Sequence, residues 1–249
     1  MSAMRSGENV MPAQAENANR YDLFAVVAAM IFPSIATWLY FVALAGHEAM
    51  QLAYSAVKIL QFTFPLLWIA VIHKRRPKPA WPAKRGLLEG LAFGLLIGAS
   101  MVVLYQWLVT HSSLLASGVE QVRAKVAEMG ITTPWRFVGL ALFYSLLHSL
   151  FEEYYWRWYV FGELRRFTGD WPAVALSSLA FMAHHVIVLG MYFGEAWWLT
   201  AMLSLSVAVG GAFWAWLYRR TGNLAGPWLS HALVDAAIML VGYQMIWGR

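Results

Sequence analysis

The chain has 249 residues, 60% of them hydrophobic and only 12% charged, with a formal net charge of +5 and no cysteine. Soluble domains are nearer a quarter charged, so this composition excludes an ordinary soluble protein and points to a membrane protein. The missing thiols exclude disulfides and thiolate chemistry, and in a membrane protein the positive charge marks cytoplasmic loops rather than nucleic-acid binding.

Residues 1–20, MSAMRSGENVMPAQAENANR, are polar and aperiodic and read as a disordered cytoplasmic tail. Seven apolar stretches follow at about 22–46, 50–73, 87–110, 136–163, 172–193, 197–218 and 226–247, each near the ~20 residues a bilayer requires. The first is too long for the apolar region of a signal peptide and lacks a clear cleavage site, so it is expected to remain as a span. The fold expected is an all-α, polytopic membrane helix bundle of about seven transmembrane helices, forming one transmembrane domain over residues 21–249. Residues 111–135 contain SGVEQVRAKVAEMG, which fits a short amphipathic helix at the membrane surface. A partial span there would raise the count to eight.

Basic residues set the orientation. Arg5 and Arg20 in the tail, the run Lys74, Arg75, Arg76, Lys78, Lys84 and Arg85, and the pairs Arg165–Arg166 and Arg219–Arg220 all fall on one side. Arg123, Lys125, Arg136 and Arg249 fall on the other. The N-terminus is therefore expected in the cytoplasm and the C-terminus opposite. Trp81, Trp135, Trp171, Trp197 and Trp198 lie where interfacial anchors are expected.

Ionisable groups inside spans are costly and point to function. Apart from Lys58, which is alone and expected to snorkel or pair, they fall in the last four stretches: His148, Glu152, Glu153, Arg157, His184, His185, His231 and Asp235. Glu153 and Arg157 are one helical turn apart and can pair. Glu152 is rotated by about 100° from Glu153 and points elsewhere. His148 precedes Glu152 by one turn, Phe181 precedes His185, and His231 precedes Asp235. His184 and His185 are adjacent, so at most one faces a given site. A carboxylate and imidazoles meeting in a cavity can activate water and stabilise an oxyanion. The same groups also serve as helix–helix hydrogen-bonding partners.

The sequence Glu152-Glu153-x-x-x-Arg157, then Phe181-x-x-x-His185, then His231-x-x-x-Asp235 resembles the three motifs of the CPBP family. This family includes type II CAAX prenyl endopeptidases and bacterial relatives that process bacteriocins or C-terminal sorting signals. The resemblance covers about residues 137–240, the expected catalytic core, and the GELRRFTG segment also resembles family usage. It implies an intramembrane endopeptidase that cuts a membrane-anchored or lipid-modified protein or peptide near its C-terminus, in a bacterial inner membrane. By position, Glu152 is implied as general base, His185 as holding the water, and His231 with Asp235 as the oxyanion side. Glu153 and Arg157 are implied as a structural pair, with His148 and Phe181 supporting the site. The family motif often ends in Asn, whereas Asp235 when ionised can only accept hydrogen bonds, so it orients His231 or is itself protonated. A metal-free mechanism without cofactor is expected, with zinc on Glu152, His185, His231 and His148 as the alternative. Counting residues along the helices puts His231 much nearer its span end than Glu152, so the last helix is required to begin deep. The competing readings are a non-catalytic immunity or scaffold protein and a proton-coupled transporter. The near-absence of polar residues from the first half disfavours the transporter.

Overall fold

The computed structural model describes residues 13–44, 50–74, 76–79 and 84–248, with side chains from Arg20 onward except at Gln51. The expected tail lies outside the described residues as far as residue 12, and helix α1 begins at Ala13. Arg75, Trp81 and Arg249 also lie outside them.

Among the described residues every regular element is helical. Six helices are long and apolar enough to cross a membrane. They are α1 (Ala13–Trp38) with its π-helical continuation Leu39–Ala43, α2 (Met50–Leu67) with Trp68–Ile72, and α3 (Leu87–His111). The other three are α8 (Asp170–Phe193), α9 (Trp197–Thr221) and α10 (Ala225–Trp247). The chain is a multi-pass membrane protein. The short helix α4 (Ala116–Glu128) falls in the segment expected to be amphipathic, and its 13 residues are too few to span.

The fourth apolar stretch differs from the other six. It forms a helical rod from Pro134 to Thr168 that alternates α5 (Pro134–Leu142), a π segment Phe143–His148, α6 (Ser149–Glu153), a π segment Tyr154–Phe161 and α7 (Gly162–Thr168). Pro134 at the first helical position and the Thr133 side chain, which accepts from the Arg136 amide, start it. Gly169, at φ +81°, ends it and turns the chain into α8.

Burial is distributed as lipid solvation demands. Leu88, Leu95, Leu96 and Val103 of α3 are exposed, whereas Glu152, Glu153, Arg157, His184 and His231 are buried. Helices α3 and α10 pack backbone to backbone. A Cβ on Gly90 would fall 2.3 Å from the Gly226 carbonyl oxygen, and one on Gly94 would fall 2.9 Å from that of Ser230. This four-residue glycine spacing is a small-residue packing seam.

The turn from α9 to α10 is buried, with Asn223, Leu224 and Ala225 all inside. Asn223 Oδ1 accepts from the Ala225 amide at 3.0 Å, and its Nδ2 donates to the Arg85 carbonyl at 3.3 Å. Helix α10 thus starts within the protein, and His231 reaches the level of Glu152. At one end of the bundle, Asp170 pairs with Arg165 and Arg219 at 2.8 and 2.6 Å, and Glu89 meets Arg220 at 3.4 Å. At the other end α4 is held by Arg123 Nε, which donates to the Met245 carbonyl at 2.8 Å. The basic pairs expected on one side therefore do gather at one end.

Candidate active site

Helix α6 carries SLFEE between two π segments. A π turn widens the helix and frees carbonyls for other donors. Here Trp228 Nε1 of α10 donates to the Leu146 carbonyl at 3.0 Å, and Ser149 Oγ donates to that of Ser145 at 2.6 Å. The following segment is enclosed on nearly every side: Tyr155, Trp156, Tyr159, Val160 and Phe161 are all buried. Adjacent residues can then both point into protein. Glu152 and Glu153 are 4% and 0% exposed despite lying about 100° apart on the helix.

The two carboxylates have different surroundings. Glu152 meets three imidazoles: His148 Nε2 at 3.3 Å, His184 Nε2 at 3.7 Å and His231 Nε2 at 3.7 Å. The two longer separations exceed a direct hydrogen bond. Glu153 has a partner at each oxygen. One oxygen accepts from His231 Nδ1–H at 2.9 Å, and the other lies 3.1 Å from Arg157 Nε. The Arg157 guanidinium is 0% exposed and packs over the rings of Phe181 and Trp214, at 5.0 and 5.4 Å. Those faces supplement the single carboxylate in balancing its charge.

The His231 ring is fixed twice. Glu153 holds Nδ1, and Trp214 stacks on the ring at 4.0 Å and 17°. With Nδ1 carrying a proton, Nε2 faces Glu152 and Asp235, the latter at 3.6 Å. Phe181 lies among these groups. Its carbonyl accepts from His185 Nδ1–H at 2.9 Å, and its ring packs against His184, His185, Trp214 and His231.

The structure thus brings Glu152, Glu153, Arg157, His148, His231 and Asp235 together, with Phe181 beneath them. His185 lies beside the cluster, its ring 4.1 Å from that of His184. His184 is the one of the adjacent pair that approaches Glu152. The sequence reading assigned it no place in the site, although it shares one buried face with Ser177 and Phe181 at helical spacing. Trp214 and Trp156 were also missed as site residues, and Trp156 lies parallel to His184 at 5.8 Å. Aromatic residues carry no charge signal that would distinguish them from the rest of the apolar span.

Among the described residues, the group whose metal-ligand atoms all lie within 4.8 Å of one another is Asp22, His73 and Glu163. The His148, Glu152, His185 and His231 set does not gather in that way. In the Asp22 group, His73 Nε2 already pairs with Asp22 at 2.8 Å, and Arg166 reaches both Asp22 and Glu163.

A cavity of about 880 Å³ opens between α2 and the Pro134–Thr168 rod. Its walls are mostly apolar, including Phe62, Leu66, Phe143 and Phe151. His148 lines this cavity and also contacts Glu152, so it stands between the open space and the buried carboxylate.

Residues 134–237 match the family model described as type II CAAX prenyl endopeptidase Rce1-like. That range begins at the first residue of the rod and ends inside α10, so it contains every residue of the cluster. No curated protein and no solved structure matches the chain.

Proposed function

We propose that this chain, whose residues 134–237 match the type II CAAX prenyl endopeptidase Rce1-like family model, is a CPBP-family intramembrane endopeptidase that cuts a membrane-anchored or lipid-modified protein or peptide near its C-terminus. The observation that carries the reading is the division of labour between adjacent glutamates. Glu153 is occupied by Arg157 and His231, while Glu152 faces imidazoles from three directions beside an apolar cavity. A carboxylate kept from a full ion pair retains the capacity to take a proton.

In the proposed reaction Glu152 accepts one proton from a water molecule. The water oxygen attacks the scissile carbonyl carbon, and the carbonyl oxygen becomes an oxyanion. His231, when protonated on both nitrogens, presents Nε2–H to that oxyanion. Asp235 beside Nε2 stabilises the imidazolium, which suits an aspartate that accepts rather than donates. Collapse of the intermediate breaks the C–N bond, and Glu152 returns its proton to the leaving amine. His184, which approaches Glu152, holds the water, and His185 beside it is fixed by donating its Nδ1–H to the Phe181 carbonyl. The chain's own carboxylate is the base in this scheme, and zinc on the alternative ligand set is its competitor.

The test is a cleavage assay on candidate C-terminally anchored substrates with the purified chain and Glu152→Gln. Loss of cleavage in a correctly folded variant supports the reading. A variant that retains full biological function supports the scaffold reading instead.

A further inference from the structure

Lys58 is a cation in the cavity wall that the proposed mechanism leaves unused. It projects from α2 into the wall of the same cavity that His148 lines. Its Nζ donates to Gln61 Oε1 at 3.2 Å and lies 5.5 and 5.6 Å from the rings of Tyr54 and Phe62. No carboxylate pairs with it among the described residues, although a cation in an apolar wall normally acquires one. Gln61, whose amide oxygen accepts from Lys58, is itself buried. An ammonium group has three donors, and a single amide oxygen uses one of them.

The position of Lys58 relative to the cluster is informative. The Phe62 ring beneath Lys58 also packs edge-on to His148, at 6.2 Å, and stacks on Phe151 at 5.3 Å. His148 in turn lies 3.3 Å from Glu152. A chain of contacts through one aromatic ring and one imidazole thus links the ammonium to the base. A short extended peptide, at roughly 3.3–3.6 Å per residue, can run along the cavity from Lys58 to His148, which contacts Glu152. The cavity volume of about 880 Å³ accommodates several apolar side chains.

We propose that Lys58 is a specificity residue of the cavity and binds the free C-terminal carboxylate of the peptide whose scissile bond lies at Glu152. This inference rests on the peptidase reading and deepens it. A compact ammonium suits a terminal carboxylate whose orientation is set by the rest of the chain. The surrounding aromatic walls exclude water and strengthen that pairing. Gln61 and the two rings hold the ammonium in place before the substrate arrives, which reduces the ordering cost of binding. The cavity therefore selects substrates by distance from a chain end: a peptide bond far from a C-terminus cannot place a carboxylate at Lys58.

The test uses one apolar membrane-anchored peptide in two forms, with a free C-terminal carboxylate or a C-terminal amide. Cleavage by the full-length chain in nanodiscs is compared with Lys58→Met and Lys58→Arg. Binding of both peptides to the Glu152→Gln chain, with and without Lys58→Met, is measured in parallel. The parent should prefer the free acid by about tenfold to a hundredfold in kcat/KM, the scale of one hydrogen bond to a charged group. The loss should fall on KM. Lys58→Met should bring the acid-to-amide ratio to about one, and Lys58→Arg should restore part of the preference.

Equal handling of acid and amide by the parent overturns the assignment. So does a Lys58→Met effect that is the same for both peptides and follows the anionic lipid content of the nanodisc, since that marks a headgroup site. If the parent cleaves neither peptide, the peptidase reading fails, and the binding arm still decides Lys58. A Lys58-dependent preference for the acid supports carboxylate recognition, and its absence overturns it.

Discussion

Two adjacent glutamates share one buried helix turn, and their neighbours separate their roles. Glu152→Gln is expected to leave folding intact and reduce turnover by about 10²–10⁴-fold, the usual contribution of a positioned general base. Cleavage kinetics together with a thermal-unfolding midpoint test both halves of that statement. Glu153→Gln should behave differently. It strands Arg157 and loosens His231, and removing one member of a buried pair costs about 3–5 kcal/mol. A lowered unfolding midpoint and poor yield are the expected result. A well-folded but inactive Glu153→Gln chain would show instead that Glu153 takes part in the chemistry directly. Metal dependence is a third test at this scale. Turnover should survive exhaustive chelation, and elemental analysis of the active protein should show no stoichiometric zinc. Zinc lost in step with activity, and restoring it when added back, would assign the nucleophile to a metal-bound water.

The site depends on helix features that local sequence reading captures unevenly. The seam between α3 and α10 leaves no room for a side chain at Gly90, because a Cβ there would meet the Gly226 carbonyl at 2.3 Å. Gly90→Leu should therefore destabilise the fold by about 1–3 kcal/mol or more through overpacking. Gly139→Ala, with nothing within 4 Å of its added Cβ, should not. Unfolding midpoints in a single detergent separate the two, and equal behaviour would contradict the seam. Helix identity, the approximate spans and the pairing of Glu153 with Arg157 were legible because they depend on hydrophobic length and one-turn spacing. The His231–Glu153 hydrogen bond joins residues 78 apart in sequence and was not legible. Nor were the two π segments around α6, or the burial of both Glu152 and Glu153 between them. The choice between His184 and His185 required knowing which face of α8 turns inward. Motif spacing favours His185, whereas the buried face of Ser177, Phe181 and His184 carries His184 to Glu152.

For the whole molecule, the absence of cysteine is an experimental advantage, since single-cysteine variants have no background labelling. If the N-terminus is cytoplasmic, Thr221→Cys at the end bearing Arg219 and Arg220 should react with a membrane-impermeant reagent only after the cytoplasmic face is opened. Ser117→Cys in α4 should react from the opposite face. The reverse pattern would invert the orientation without disturbing the site. The central claim is that Glu152 activates water for peptide-bond cleavage, and oxygen-isotope labelling tests it most directly. The chain in nanodiscs is given a cleaved substrate in ¹⁸O-enriched water, and the products are weighed by mass spectrometry. The account predicts one ¹⁸O in the newly formed carboxyl group with the parent chain and a product yield lower by at least about a hundredfold with Glu152→Gln. Labelled product forming at the parental rate in Glu152→Gln would contradict it.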